Sequence, residues 1–303
     1  MTARTARSSQ AVWAAGTRTA VIRRVQDRTR LLDLLRRSEA FNAYAIAHLD
    51  AALFPLADFY VAESGGATAV LAHTRGGPGP ATHAWGDPRL VGALVRLHPG
   101  SRGRLLTCQA EHVDELLEVY NLWRPQTMMR MRVDAESFRP PADRGPVRRL
   151  LAADAPELNR LYALEGEGIA YSGRHVREGV YFGALYRGRI VAAAGTHTFS
   201  KSMRVAVVGN VFTHPDFRGR GLGTAVTAAV TAQLLEECDL VVLSVDPANR
   251  SARHVYETLG YAETGRIVEA MATRRAPLSP LPLLRRRLAS RRAGEPGVEV
   301  VTL

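Results

Sequence analysis

Lysine is all but missing from this chain: Lys201 is the one lysine among 40 basic residues in 303. That absence excludes a P-loop, which needs Gly-x-x-x-x-Gly-Lys-Ser/Thr with the lysine beside the glycines. Cysteine is scarce as well. Cys108 and Cys238 are too few for a disulfide framework and fit a reducing cytoplasm. They read as small buried hydrophobes. No run of about 18 apolar residues occurs, so neither a transmembrane helix nor a membrane partner is expected. His175, His197, His214 and His254 show no ligand spacing, and no metal site is expected. Neither Gly-x-Ser-x-Gly nor a Cys/His pair for a covalent acyl intermediate is present.

Acidic residues are missing from two stretches, and this locates the formal net charge of +11. Residues 1–18 carry Arg4, Arg7 and Arg18 without an acid. Residues 274–292 carry Arg274, Arg275, Arg285, Arg286, Arg287, Arg291 and Arg292 without one. The remainder is close to neutral, so a basic surface for nucleic acid is not expected. Residues 1–20 read as a flexible leader and 277–303 as a basic Pro/Arg-rich tail, extended and exposed, although Leu281–Leu288 could lie on another surface.

What the chain does have is Val207-Val-Gly-Asn-Val-Phe-Thr-His-Pro-Asp-Phe-Arg-Gly-Arg-Gly-Leu-Gly-Thr224. It reads as an apolar strand, a turn, three alternating glycines and the start of a long helix. The first N–H groups of a helix have no partner within it, and with the helix dipole they attract an anion. Glycine admits close approach of a ligand and positive φ. The segment Arg218, Gly219, Arg220, Gly221, Leu222, Gly223, Thr224 therefore reads as a seat for a pyrophosphate-sized anion. A dinucleotide fingerprint, Gly-x-Gly-x-x-Gly directly after a strand, fits poorly. Its third glycine falls on Thr224 and His214–Phe217 intervenes, although Asp246 could stand in for the ribose-binding acid. Arg-x-x-Gly-x-Gly is met in full by Arg218, Gly221 and Gly223.

With that motif the sequence resembles the GNAT superfamily of acetyl-CoA-dependent N-acetyltransferases over residues 147–272. Asn249-Arg-Ser-Ala-Arg-His-Val-Tyr256-Glu-Thr-Leu-Gly260-Tyr261 is similar to the superfamily's later motif. The resemblance implies an α/β fold with a mixed sheet and acetyl-CoA as cosubstrate. It also implies acetyl transfer to a primary amine of a small molecule or peptide. Val211, Phe212 and Thr213 would line the pantetheine arm, with the Val211 N–H as oxyanion donor. Asn249 would hold the arm or cap its helix. Tyr256 would protonate the departing thiol, or lie in the core. The strand 204–212 has no carboxylate where some members place a glutamate, so the general base is open among His197, Glu165 and Glu167. A non-catalytic acetyl-CoA-binding sensor or interaction module is the alternative reading. Acceptor and oligomeric state, a homodimer included, are open.

Along the chain, residues 21–133 read as helix–helix–strand–strand–strand–helix–strand–helix–strand, close to the same order. A helix is expected over 111–122 and a strand over 128–133. The counterpart of the glycine loop falls near Trp85–Leu90 and holds only Gly86 and Pro88. This half is read as degenerate, giving a tandem arrangement: a degenerate domain 21–133, a Pro-rich linker 134–146 and a catalytic domain 147–276.

Overall fold

A computed structural model describes residues 18–75, 79–142, 145–165, 170–276 and 278–303, with the Glu165 side chain left aside. The elements run β1 (Thr19–Arg24), α1 (Arg28–Leu35), α2 (Glu39–Ala47), β2 (Ala57–Ser64), β3 (Ala67–Thr74), β4 (Ala81–Gly86), α3 (Pro88–Leu97), β5 (Gly103–Cys108), α4 (Val113–Leu117) and β6 (Tyr120–Val133). The same succession then repeats: β7 (Val147–Arg149), α5 (Ala155–Tyr162), α6 (Gly173–Glu178), β8 (Phe182–Tyr186), β9 (Arg189–Ser200), β10 (Val205–Thr213), α7 (Leu222–Leu235), β11 (Leu240–Val245), α8 (Arg250–Thr258) and β12 (Ala262–Arg274). Helix α9 (Leu281–Ala293) and β13 (Val298–Thr302) complete the chain.

All strands join one 13-stranded sheet in the order β13-β1-β2-β3-β4-β5-β12-β6-β11-β10-β9-β8-β7. The two halves trade their last strands. β6, which ends the first half, pairs with β11 of the second, and β12 pairs with β5 of the first. β6 and β12 then lie antiparallel along nearly their whole length, Ala262 opposite Arg132 and Arg274 opposite Tyr120. This long pairing explains why the helix expected over 111–122 stops early. From Tyr120 onward the backbone bonds to β12, a non-local demand that overrides local helical spacing.

Helices are shared across the seam too. α1 and α2 bury Leu31, Leu35 and Ile46 in one cluster with Phe59 and Val61 of β2, and also with Val205, Val207 and Val242 of the second half. Polar contacts fix α2 there. Arg132 Nη1 donates to Glu39 Oε1 at 2.9 Å, and Ser200 Oγ donates to Asp50 Oδ2 at 2.8 Å. On the opposite face α3 and α4 cover the first half and α7 and α8 the second. The linker is equally engaged: Arg139 N donates to Leu259 O, and a Cβ on Gly260 would lie 1.9 Å from Ser137 O.

The C-terminal segment departs from the expected extended, exposed tail. Pro282 enters the first turn of α9, where its missing N–H is harmless, and Gly294 in the left-handed region ends the helix. Ala289 is buried in the first half's core, and β13 adds an antiparallel edge strand to β1. Cys108 and Cys238 are buried, as read from the sequence, and burial pushes both thiols up to about 12. Among the described residues no helix is long and apolar enough to cross a membrane.

Two predictions follow from this arrangement. A chain of residues 146–303 leaves β12 without either neighbour, so it should lack a cooperative urea transition; a sharp two-state curve from that fragment contradicts the exchanged pairing. Buried His73 and His83 are lowered to about 3, chiefly by desolvation and then by Arg104 and Arg130 respectively. Their folded forms resist a proton that the unfolded chain accepts near 6.5. Stability they supply above pH 6.5 is therefore lost between pH 6.5 and about 3, by about 1.4 kcal/mol per pH unit for each. Denaturation curves at pH 7 and 5 check this, and equal midpoints count against it.

Candidate active site

Parallel strands β10 and β11 are paired only from Val205/Leu240 to Val208/Leu243. Beyond Val208 the strands part. On its other side β10 jumps register against β9, from Gly209 opposite Gly195 to Phe212 opposite Ala193. Asn210 and Val211 are thereby released from the ladder, a bulge of the kind that re-aims a strand. Asn210 sits at φ +54°, uncommon for a residue with a side chain. Tyr162 Oη donates to its carbonyl and Tyr171 Oη to its Oδ1, both at 2.6 Å. The bulge is thus clamped from α5 and the segment before α6.

From β10 the chain passes through a short turn into the glycine loop. Gly219 and Gly221 have φ +72° and +73°, and a Cβ on either would meet nothing within 4 Å among the described residues. They are needed for backbone conformation, and the space before them is open. Gly221 is the N-cap of α7 and offers no side-chain cap. Arg218 Nε donates to Thr213 O at 3.2 Å, with its guanidinium 5.8 Å from the Phe212 ring centroid. Arg220 lies 5.0 Å from the Phe217 ring and donates to Asp216 O. The mouth of the splay therefore presents a bare helix N-terminus beside two exposed arginines, a place for a multiply charged anion. Val211, Phe212 and Thr213 form the end of β10 that leads into this loop.

The first half carries the counterpart: β4 and β5 pair only through His83/Thr107. There the helix N-terminus is filled by protein, since Asp87 accepts from Leu90 N at 3.1 Å. Gln109 Oε1 accepts from Gly86 N, and His112 Nε2 bonds Gly86 O at 2.8 Å. A Cβ on Gly86 would strike Thr68 O at 2.2 Å.

Of the other sequence-predicted residues, Tyr256 lies in the core cluster against which Val211 and Leu222 pack. It is 6% exposed, and burial raises its phenol to about 12. Asn249 Oδ1 accepts from Ala252 N at 3.0 Å, so its acceptor is engaged as the cap of α8. His197 is exposed and faces the space beneath α2. Its ring lies 6.3 Å from that of Tyr44, and a Cβ on Gly209 would fall 2.0 Å from its Nε2. Desolvation and then Arg130 lower it to about 4, leaving it neutral and a weak proton acceptor. Glu165 ends a short helical turn, its side chain undescribed, and Glu167 lies outside the described residues.

The same space holds groups the sequence reading missed. Arg130 on β6 is 1% exposed, and among the described residues Tyr44 is the polar side chain set against it. Its guanidinium lies 5.4 Å from the Tyr44 ring centroid. Glu269 on β12 accepts from Ser244 Oγ at 3.3 Å. The available signal was a charge interrupting an apolar strand, Met-Met-Arg130-Met and Ile-Val-Glu269-Ala-Met. A cavity of about 590 Å³, lined by His73, His98 and Arg104, lies under α9, away from the splay. Among the described residues no group of three or more His, Cys, Asp or Glu could hold a metal.

Splayed parallel strands, a bulge and a glycine-capped helix within a mixed α/β sheet match the acyl-CoA N-acyltransferase fold in the second half, and the first half repeats the order of strands and helices. Residues 146–261 match the family model for the acetyltransferase (GNAT) family. No curated protein matches the chain. Among solved structures, a Drosophila protein is similar over 85% of this chain and 99% of its own, at 17% identity and TM-score 0.63. A GNAT-family protein from Novosphingobium aromaticivorans is similar over 67% of this chain and 88% of its own, at 23% identity and TM-score 0.51.

With open space at Gly221, Gly221→Ala should cost only the left-handed backbone penalty, about 1–2 kcal/mol. Urea denaturation measures it, and an unchanged midpoint shows that the loop adopts another conformation.

Proposed function

We propose that the protein is an N-acetyltransferase that moves an acetyl group from acetyl-CoA directly to a primary amine of a small molecule or peptide. One observation carries the reading: the uncapped N-terminus of α7 opens onto the splay of β10 and β11, with unfilled space before Gly219 and Gly221. The loop amides of residues 219–224 would hold the diphosphate, with Arg218 and Arg220 alongside. The Val211 N–H, freed by the bulge, would donate to the thioester oxygen as negative charge develops there. In the first half the Asp87 carboxylate sits where a diphosphate would need to bind. This supports reading that half as one that has given up the coenzyme and serves as structure and substrate wall.

The role of Tyr256 is narrower than a full acid. A phenol at about 12 and a thiol near 8.5 differ by about 3.5 units, or about 5 kcal/mol against complete proton transfer. Tyr256 acts better as a hydrogen-bond donor to the leaving sulfur, with the proton arriving from solvent or from the acceptor. The same mismatch favours a second reading, a protein that binds acetyl-CoA without turning it over.

An amine panel with detection of released CoA thiol separates the two. The enzyme reading expects thiol release that depends on a particular amine, and Tyr256→Phe should lower kcat about 10-fold while leaving the acetyl-CoA KM within about 2-fold. Thermal stabilisation by acetyl-CoA with no release from any amine favours the sensor. Stabilisation by a nicotinamide dinucleotide in its place overturns both.

A further inference from the structure

A primary amine reaches the active site as an ammonium ion and needs a base, yet β10 carries no carboxylate. The sheet supplies one from elsewhere. Arg130 and Ser244 are register partners on β6 and β11, so they share a face. Met129 and Met131 point the other way, into the core under α7. Glu269 stands on β12, beyond β6, and its side chain crosses β6 to meet Ser244 Oγ. Ser244 is the first residue of β11 past its last pairing with β10 at Leu243/Val208. The Glu269 carboxylate therefore lies at the root of the splay, on the face that α2 roofs.

A continuous floor runs from there to the bulge. Arg130 lies beneath the ring of Tyr44, the Tyr44 ring neighbours His197, and His197 fills the space that a Cβ on Gly209 would need. The groups differ in access. Glu269 keeps partial solvent contact, whereas Arg130 is sealed beneath it. The group offered to a ligand is the Glu269 carboxyl, and the Arg130 guanidinium is held underneath. That arrangement suits an acceptor entering ammonium end first.

We infer that Glu269 is the general base of this site, delivered by the strand exchanged between the halves, and that the cleft under α2 receives the acceptor's ammonium group. This rests on the acetyltransferase reading. Burial raises the carboxyl, while Arg130 and the Ser244 hydroxyl hold it back. The charged or titratable groups facing it are Arg130 from β6 and Tyr44 from α2, with His197 farther off and neutral. Raised by burial, the carboxyl is shifted in the direction that suits a base. Glu269 takes one proton from the ammonium, and the nitrogen lone pair adds to the thioester carbonyl carbon. The C–S bond then breaks with its electron pair on sulfur. The second proton lost by nitrogen ends on that sulfur, and Glu269 releases the first to solvent.

The test uses the full chain and the amine found in the panel. Glu269→Gln should lower kcat/KM at pH 7 by 100-fold or more, with acetyl-CoA binding by calorimetry unchanged. In the wild type the acid limb of kcat/KM should fall above the ordinary carboxylate range near 4.3, and it should vanish in Glu269→Gln. Glu269→Asp should recover part of the rate. Ser244→Ala removes the hydrogen bond that favours the ionised form, so its acid limb should move to higher pH. Should Glu269→Gln not fold, the limb in Ser244→Ala decides, and an unmoved limb overturns the assignment. A Glu269→Gln rate within about 3-fold of wild type, with its limb intact, overturns it as well. A wild type that binds acetyl-CoA and acetylates no amine sinks the acetyltransferase reading, and the base with it.

Discussion

The backbone ladder between β6 and β12 holds the rest of this molecule in place. Each strand closes the other half's sheet, so neither half owns a complete one. The paired groups are main-chain amides and carbonyls in the middle of a buried sheet, where leaving them unpaired would be costly. Two domains touching through side chains could rotate against each other; two domains that share a ladder cannot. The cleft under α2 inherits that rigidity. Its groups come from α2 and β12 on one side of the trade and from β6, β9 and β11 on the other, yet all are fixed by one hydrogen-bonded lattice.

The two halves then show how little separates a coenzyme seat from a plain helix start. Both have a parallel strand pair that parts, and both have a helix beginning at the gap. In the second half the cap is Gly221 at positive φ, which leaves the first amides of α7 facing outward. In the first half the cap is Asp87, whose carboxylate takes the Leu90 amide for itself. The difference is one side chain that answers the helix dipole internally. A folded carboxylate at that position competes with any incoming phosphate by charge as well as by volume.

Much of this was legible in the sequence because local patterns specify it. The glycine loop, the apolar strand before it, the amphipathic α8 and the Gly260 stop all follow from spacing and φ requirements that a few neighbouring residues impose. What was not legible is non-local. Residues 118–122 continue a helical pattern, and only the distant partner β12 draws Tyr120 into a strand. The tail reads as loose because its Pro/Arg run lacks a clean apolar face; β1 and the buried Ala289 decide otherwise. Glu269 was passed over because an acid within a strand has no local signature of function. Its meaning comes from Ser244 and Arg130, which approach it only after the halves have traded strands.

The order in which the chain leaves the ribosome gives the trade a further meaning. Until residues 262–274 emerge, β5 has an open edge and β6 lacks one neighbour; until β13 follows, β1 is bare on one side. Bare strand edges invite pairing with other chains. The early half of this protein therefore waits on its own last segment for protection, and a nascent chain stalled before residue 262 would be a template for aggregation rather than a finished domain.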